Sequence, residues 1–205
     1  MLTAFTAGLL LITISELGDK TFFIAVILAM KHSRKLVFIG VASALAAMTI
    51  LSVLFGKVVS FLPEIYLKYA EIILFFAFGI KLLYEASKMT ASSSETEVID
   101  EAKEAVQKAD LQRKSKTPLA ILIEAFTLTF VAEWGDRTQI ATIALAARYN
   151  AVGVAAGAVL GHALCTAIAV IGGKLIAGRI SERQLTFAGG CLFLIFGIIA
   201  AVEGV

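Results

Sequence analysis

The stretch Glu16-Leu17-Gly18-Asp19-Lys20-Thr21 lies inside a long apolar run, and Glu133-Trp134-Gly135-Asp136-Arg137-Thr138 repeats its pattern. Each copy sets two carboxylates, one cation and one hydroxyl in sequence that otherwise reads as lipid-facing helix. Near the centre of a membrane helix each charged group costs roughly 2.5–3.5 kcal/mol, so three in one span cost on the order of 9 kcal/mol. About twenty Leu-like residues are needed to offset that. A cluster so costly, carried twice, marks a functional site rather than packing.

The surroundings of the two hexapeptides decide the fold class. The 205 residues are 59% hydrophobic and 17% charged, with a mean hydropathy of +0.90, whereas a soluble domain is nearer a quarter charged. The apolar residues fall in blocks long enough to span a bilayer. An all-α polytopic membrane protein is predicted, with six transmembrane helices near residues 2–30, 36–61, 65–84, 119–147, 151–176 and 185–202. A net charge of +2, with basic residues scattered among loops, points away from nucleic acid. Cys165 and Cys191 lie apart in apolar segments and read as small core residues. Met1 leads almost directly into the first apolar run without a basic leader, so that run reads as a span rather than a cleaved signal.

The only long polar segment lies between the third and fourth spans. It begins with Thr90, Ser92, Ser93 and Ser94, a loop signal and a potential helix N-cap. Alternating charge then runs from Glu95 to Lys114 over a weak apolar stripe of Val98, Ala102, Ala105 and Ala109, which predicts a short amphipathic helix in a solvated linker. The organisation expected is therefore a first three-helix repeat over 1–87, a linker over 88–118 and a second repeat over 119–205.

Twelve of the eighteen Lys and Arg residues fall in the loops after spans one, three and five, and only Lys57, Lys68 and Arg148 in the alternate loops. The positive-inside bias places the central linker in the cytoplasm and both termini outside. A shift of 117 residues superimposes the hexapeptides and also pairs Leu28 with Leu145, Gly40 with Gly157, Thr49 with Thr166 and Gly56 with Gly173. An odd number of spans per repeat turns the second half upside down. Such inverted repeats place a transport site near the bilayer midplane, between the halves.

On a continuous helix Glu16, Asp19 and Lys20 share a face, as do Glu133, Asp136 and Arg137. Gly18 and Gly135 permit either close helix approach or local unwinding that frees carbonyls. Glu16, Asp19, Thr21, Glu133, Asp136 and Thr138 are candidate metal ligands, all oxygen donors, which suit Ca²⁺, Mn²⁺ or Mg²⁺. Neither motif holds Cys or His, which disfavours zinc and copper. Lys20 and Arg137 balance charge, leaving four carboxylates at a formal −2 that one divalent cation or two protons would neutralise. Divalent cation/proton antiport is expected, with the ion as substrate, no resident cofactor and no enzymatic chemistry. Ser15 and Gln139 flank the motifs and are placed to orient ligands, and Glu124 is a candidate entry carboxylate. Glu71 and Lys81 read as pairing with neighbours, and His162 as a hydrogen-bonded helix contact. Ser43, Thr49 and Thr166 read as back-bonding to their own helices, and Trp134 as packing.

The paired E-x-G-D-[KR]-[ST] motifs, here ELGDKT and EWGDRT, resemble the signature of the Golgi manganese/calcium transporter family, which includes bacterial manganese exporters of the MneA type. The resemblance covers the whole chain. It implies cation-binding roles for Glu16, Asp19, Glu133 and Asp136 with Thr21 and Thr138 beside them, and Mn²⁺ or Ca²⁺ as the transported ion. With so compact a chain, it favours export across a prokaryotic plasma membrane. A passive divalent-cation channel shares this chemistry. An intramembrane aspartyl protease shares less, because Glu16 and Glu133 replace the first Gly of its G-x-G-D pattern, and an adjacent cation opposes a shared proton.

Overall fold

The computed structural model describes residues 1–89, 94–112, 117–176 and 182–203. Among the described residues all regular structure is helical: α1 (Leu2–Glu16), α2 (Lys20–Lys31), α3 (Arg34–Val59), α4 (Glu64–Lys88), α5 (Ser94–Gln112), α6 (Pro118–Ala132), α7 (Arg137–Arg148), α8 (Ala151–Ile176) and α9 (Glu182–Val202). The first and fourth predicted spans are not continuous helices. Each divides at its hexapeptide, α1 from α2 and α6 from α7, and the second break bends the chain by 74°. The cause is local: Gly18 and Gly135 both sit at φ +82°, a conformation that side-chain-bearing residues adopt only with strain.

Six spans were the expectation from hydropathy. By length and composition three described helices are long and apolar enough to cross a membrane, in α3, α8 and α9, or up to four if the bent α6–α7 pair counts as one. The short apolar α1 falls below that length, and α4 carries Lys68, Glu71, Lys81 and Glu85 along its course. Ile50, Leu54 and Val58 of α3 and Ile195 and Ile198 of α9 are exposed, so these helices present an apolar outer face.

The halves interleave. α1 runs along α8, α6 and α7 pack on α3, α3 meets α8, and α4 meets α9. Contacts recur at the 117-residue shift. A Cβ on Gly40 would stand 2.8 Å from Leu122 O of α6, and one on Gly157 would collide with Phe5 O of α1, the repeat equivalent. Only glycine admits backbones so close. Likewise Thr49 Oγ1 donates to Leu45 O at 2.9 Å and Thr166 Oγ1 to His162 O at 2.8 Å. Ser43 Oγ donates to Gly40 O at 2.9 Å, so all three hydroxyls back-bond as expected. Phe75 of α4 meets Phe193 of α9 edge-on, with ring centroids 5.8 Å apart.

The linker helix α5 is less solvated than its charge pattern suggests. Ala102 and Val106 are fully buried, and they join Phe22, Phe23 and Val26 of α2 in one apolar cluster. Val98 and Ile99 pack against the same cluster, while Ala105 and Ala109 stay half-buried. Thr90, Ser92 and Ser93 of the expected loop signal lie outside the described residues, as do Arg113, Lys114, Lys116 and Arg179; Ser94 opens α5. Cys165 is buried and Cys191 half-buried, and both are free.

Candidate metal centre

Both hexapeptides build the same backbone. After the glycine turn, Asp19 N donates to Glu16 O at 3.3 Å and Asp136 N to Glu133 O at 3.2 Å. Asp19 and Asp136 then occupy the N-cap positions of α2 and α7 with extended backbones. Each break therefore brings a helix C-terminus, with carbonyls lacking intrahelical partners, against a helix N-terminus whose dipole favours negative charge. Discontinuous membrane helices in transporters hold ions at such places.

The side chains converge across the halves. One carboxylate oxygen each from Glu16, Asp19 and Glu133 lie within 4.8 Å of one another. Glu16 and Glu133 are 3% and 2% exposed, and each keeps one buried oxygen, Oε1, without a hydrogen-bond partner. Buried carboxylate oxygens are not left bare without reason. Three converging hard oxygen donors, two with orphaned atoms, fit a divalent cation as cargo. Thr21 and Thr138 are buried beside them, and Thr21 Oγ1 donates to Glu16 Oε2 at 3.2 Å.

The fourth carboxylate behaves differently. Asp136 Oδ2 accepts from Thr138 Oγ1 at 3.0 Å and Thr138 N at 3.4 Å, which caps α7. It lies outside the converging trio. Asp19 has no side-chain cap bond to α2; its Oδ1 accepts from Arg137 Nη2 of the other half at 3.2 Å. Lys20, the repeat partner of Arg137, points elsewhere and pairs with Glu101 of α5 at 3.1 Å.

Of the flanking residues, Gln139 braces the second break: its Oε1 accepts from Gly135 N at 2.7 Å and its Nε2 donates to Met48 Sδ at 2.9 Å. Ser15 is buried beside Glu16 with its hydroxyl unpartnered. Glu124 is buried on α6 and lines neither of the two larger cavities described at the hexapeptides. Those cavities, about 190 and 220 Å³, share Arg137, Leu82 and Glu85. Glu85 is the residue that sequence reading missed. It directly follows the predicted span 65–84 and reads as a loop residue, yet α4 runs on through it and it pairs i,i+4 with Lys81, 3.8 Å apart.

Glu71 is 1% exposed and pairs across helices with Arg148 of α7. His162 is buried with Nδ1 lacking a partner, so it is not held as a hydrogen-bonded contact through that atom. Trp134 is 61% exposed and meets only Phe130 among the described aromatic rings, so it faces outward rather than packing inward.

The model of the family described as divalent cation/proton antiporter GDT1 matches residues 4–90 and 121–205, the two halves without most of the linker. The chain is 57% identical over 201 residues to GDT1-like protein sll0615 of Synechocystis, covering 98% of this chain and 97% of that protein. It is 45% identical to GDT1-like protein 3 of Oryza sativa subsp. indica, over 95% of this chain and 72% of the relative. It is also 42% identical to the PAM71-homolog, chloroplastic, of Arabidopsis thaliana, over 95% and 58% respectively. No solved structure matches the chain. With both halves matched and a relative aligned over nearly its full length, the chain belongs to the GDT1 family of divalent cation/proton antiporters.

Proposed function

We propose that this protein exports Mn²⁺ or Ca²⁺ across a prokaryotic plasma membrane in exchange for protons, through one site shared by its two halves. The observation that carries the reading is the convergence of Glu16, Asp19 and Glu133, from both halves, at paired helix breaks. In this reading α1–α2, α3 and α4 make one three-span repeat and α6–α7, α8 and α9 its inverted copy. The linker lies in the cytoplasm and both termini outside, as the basic-residue bias supports. Glu16, Asp19 and Glu133 hold the cation, and Thr21, Thr138 and Asp136 complete or position the set. Gln139 and Ser15 support the breaks.

Charge drives the exchange. With Lys20 drawn to Glu101, four carboxylates face Arg137 alone, a formal −3 when all are ionised. A divalent cation with one retained proton neutralises that; protons alone also neutralise it. The fully ionised cluster is costly in low dielectric, so crossing between access states favours a loaded site. An opening beside the linker fits one access state of such a cycle. The cavity at Asp19 and Arg137 is also lined by Met89 and Val98 near the linker, whereas the 240 Å³ cavity at Glu71, Tyr149 and Glu203 includes no hexapeptide residue.

Purified protein in liposomes provides the test. Mn²⁺ or Ca²⁺ movement should follow an imposed pH gradient with opposite proton flow, and Glu16→Gln should abolish it. Cation flux indifferent to the pH gradient would favour the channel and contradict exchange.

A further inference from the structure

We propose that Glu85 receives Arg137 when a divalent cation displaces it from Asp19, making Glu85 a positioning residue for transport rather than a ligand. This rests on reading Glu16, Asp19 and Glu133 as the cation site. A guanidinium and a divalent cation compete for one carboxylate. Arg137 Nη2 is 3.2 Å from Asp19 Oδ1, and Asp19 is one of the three carboxylates whose oxygens converge within 4.8 Å. A cation among those oxygens takes over Asp19 and repels Arg137 at short range. The released guanidinium then needs another carboxylate, because a charge left unpaired at a partly buried position is costly.

Glu85 is placed to be that carboxylate. Arg137 lines both cavities at the break, and among the described residues Glu85 is the only Asp or Glu outside the hexapeptides that lines either of them. Both partners are loosely held. Arg137 Nε is buried without a hydrogen-bond partner. Glu85 meets Lys81 at 3.8 Å, a contact that Lys81, its side chain 69% exposed, gives up to water at little cost. Lys20 has no equivalent: the repeat position of Glu85 is Val202, and Lys20 is engaged by Glu101. The device serves Arg137 alone.

Calorimetric Mn²⁺ binding to the purified full chain in detergent tests this through two mutant cycles. Glu85→Gln should weaken binding about three- to fivefold, the scale of a partly exposed ion pair. In an Arg137→Gln background the same change should shift Kd by less than about twofold, as for uncoupled sites. Glu85→Asp should restore most of the affinity. The second cycle leaves Arg137 in place: Lys81→Gln frees Glu85 and should tighten binding about twofold, an effect lost in Glu85→Gln. Equal weakening by Glu85→Gln with and without Arg137 would make Glu85 a direct attractor of the cation and overturn the proposal. No weakening in the otherwise unmodified chain would overturn it too. If the unmodified chain binds no Mn²⁺ or Ca²⁺, the cation-site reading itself fails and this proposal with it.

Discussion

The two hexapeptides share one backbone and divide over their charges. Gly18 and Gly135 have the same φ, the following Asp residues the same capping position, and the Asp N to Glu O turns nearly the same length. Yet Arg137 crosses to Asp19 of the other half, while Lys20 leaves for Glu101 on the linker helix. The reason is what each motif faces. α5 packs on α2 and brings Glu101 to Lys20, whereas α7 packs on α4, which carries Glu85 and Glu71. The two motifs thus share a local backbone, while α5, which has no counterpart, and the carboxylates of α4 make their charges unequal.

The same inequality appears at the two ends of the molecule. At one end Glu71 pairs with Arg148 and Tyr149 Oη donates to Glu203 Oε2 at 2.6 Å, tying α4, α7 and α9 together. The repeat equivalents of Glu71 and Glu203 are Ala188 and Ala86, which offer no carboxylate. At that second end the cavity reaches Asp19 and Arg137 beside Val98.

Six substitutions separate what the halves share from what they do not. Arg148→Ala leaves Glu71 buried without its cation and should destabilise the fold by about 3–5 kcal/mol, measured by unfolding in detergent. A loss below about 1 kcal/mol would remove the tie between α4 and α7 as a source of asymmetry. Glu16→Gln and Glu133→Gln should each lower cation affinity by about 100-fold or more, at or beyond the upper end of losses seen for residues that merely orient ligands. Gly18→Ala and Gly135→Ala should each cost about 1–2 kcal/mol from the left-handed backbone alone. Gly18→Ala should be the worse, because its Cβ would lie 2.7 Å from Leu185 Cδ1 while Gly135 has open space. Equal losses would mean that Leu185 swings away freely. Lys20→Gln should change stability by no more than about 1 kcal/mol, since the pair with Glu101 is exposed, while raising protease cleavage of the linker. Unchanged cleavage would show that Ala102 and Val106 hold α5 without the ion pair.

Much of the site was legible because its residue types are so costly in apolar sequence. Charge density singled out Glu16, Asp19, Glu133 and Asp136, and the 117-residue shift related Gly40 to Gly157 and Thr49 to Thr166, which make matching contacts. Hydropathy reads through an interruption of three or four residues, so it joined α1 to α2 and α6 to α7; only the glycines hinted at the breaks. The destinations of Lys20 and Arg137 were not legible. Their partners lie 81 and 118 residues away in sequence, and no local period encodes such pairings. Glu85 escaped for a related reason, since a charge at the end of a span looks like the start of a loop until α7 is packed beside it. The docking of α5 turned on Ala102, which the weak stripe included, and Val106, which it did not.

The central claim is that two halves make one cation site, and Mn²⁺ stoichiometry tests it most directly. Titration of the purified chain, followed by the loss of the free-ion electron paramagnetic resonance signal, should show one high-affinity Mn²⁺ per chain. Glu16→Gln alone and Glu133→Gln alone should each remove that one ion. Two ions per chain, each lost only when its own half is changed, would contradict a shared site.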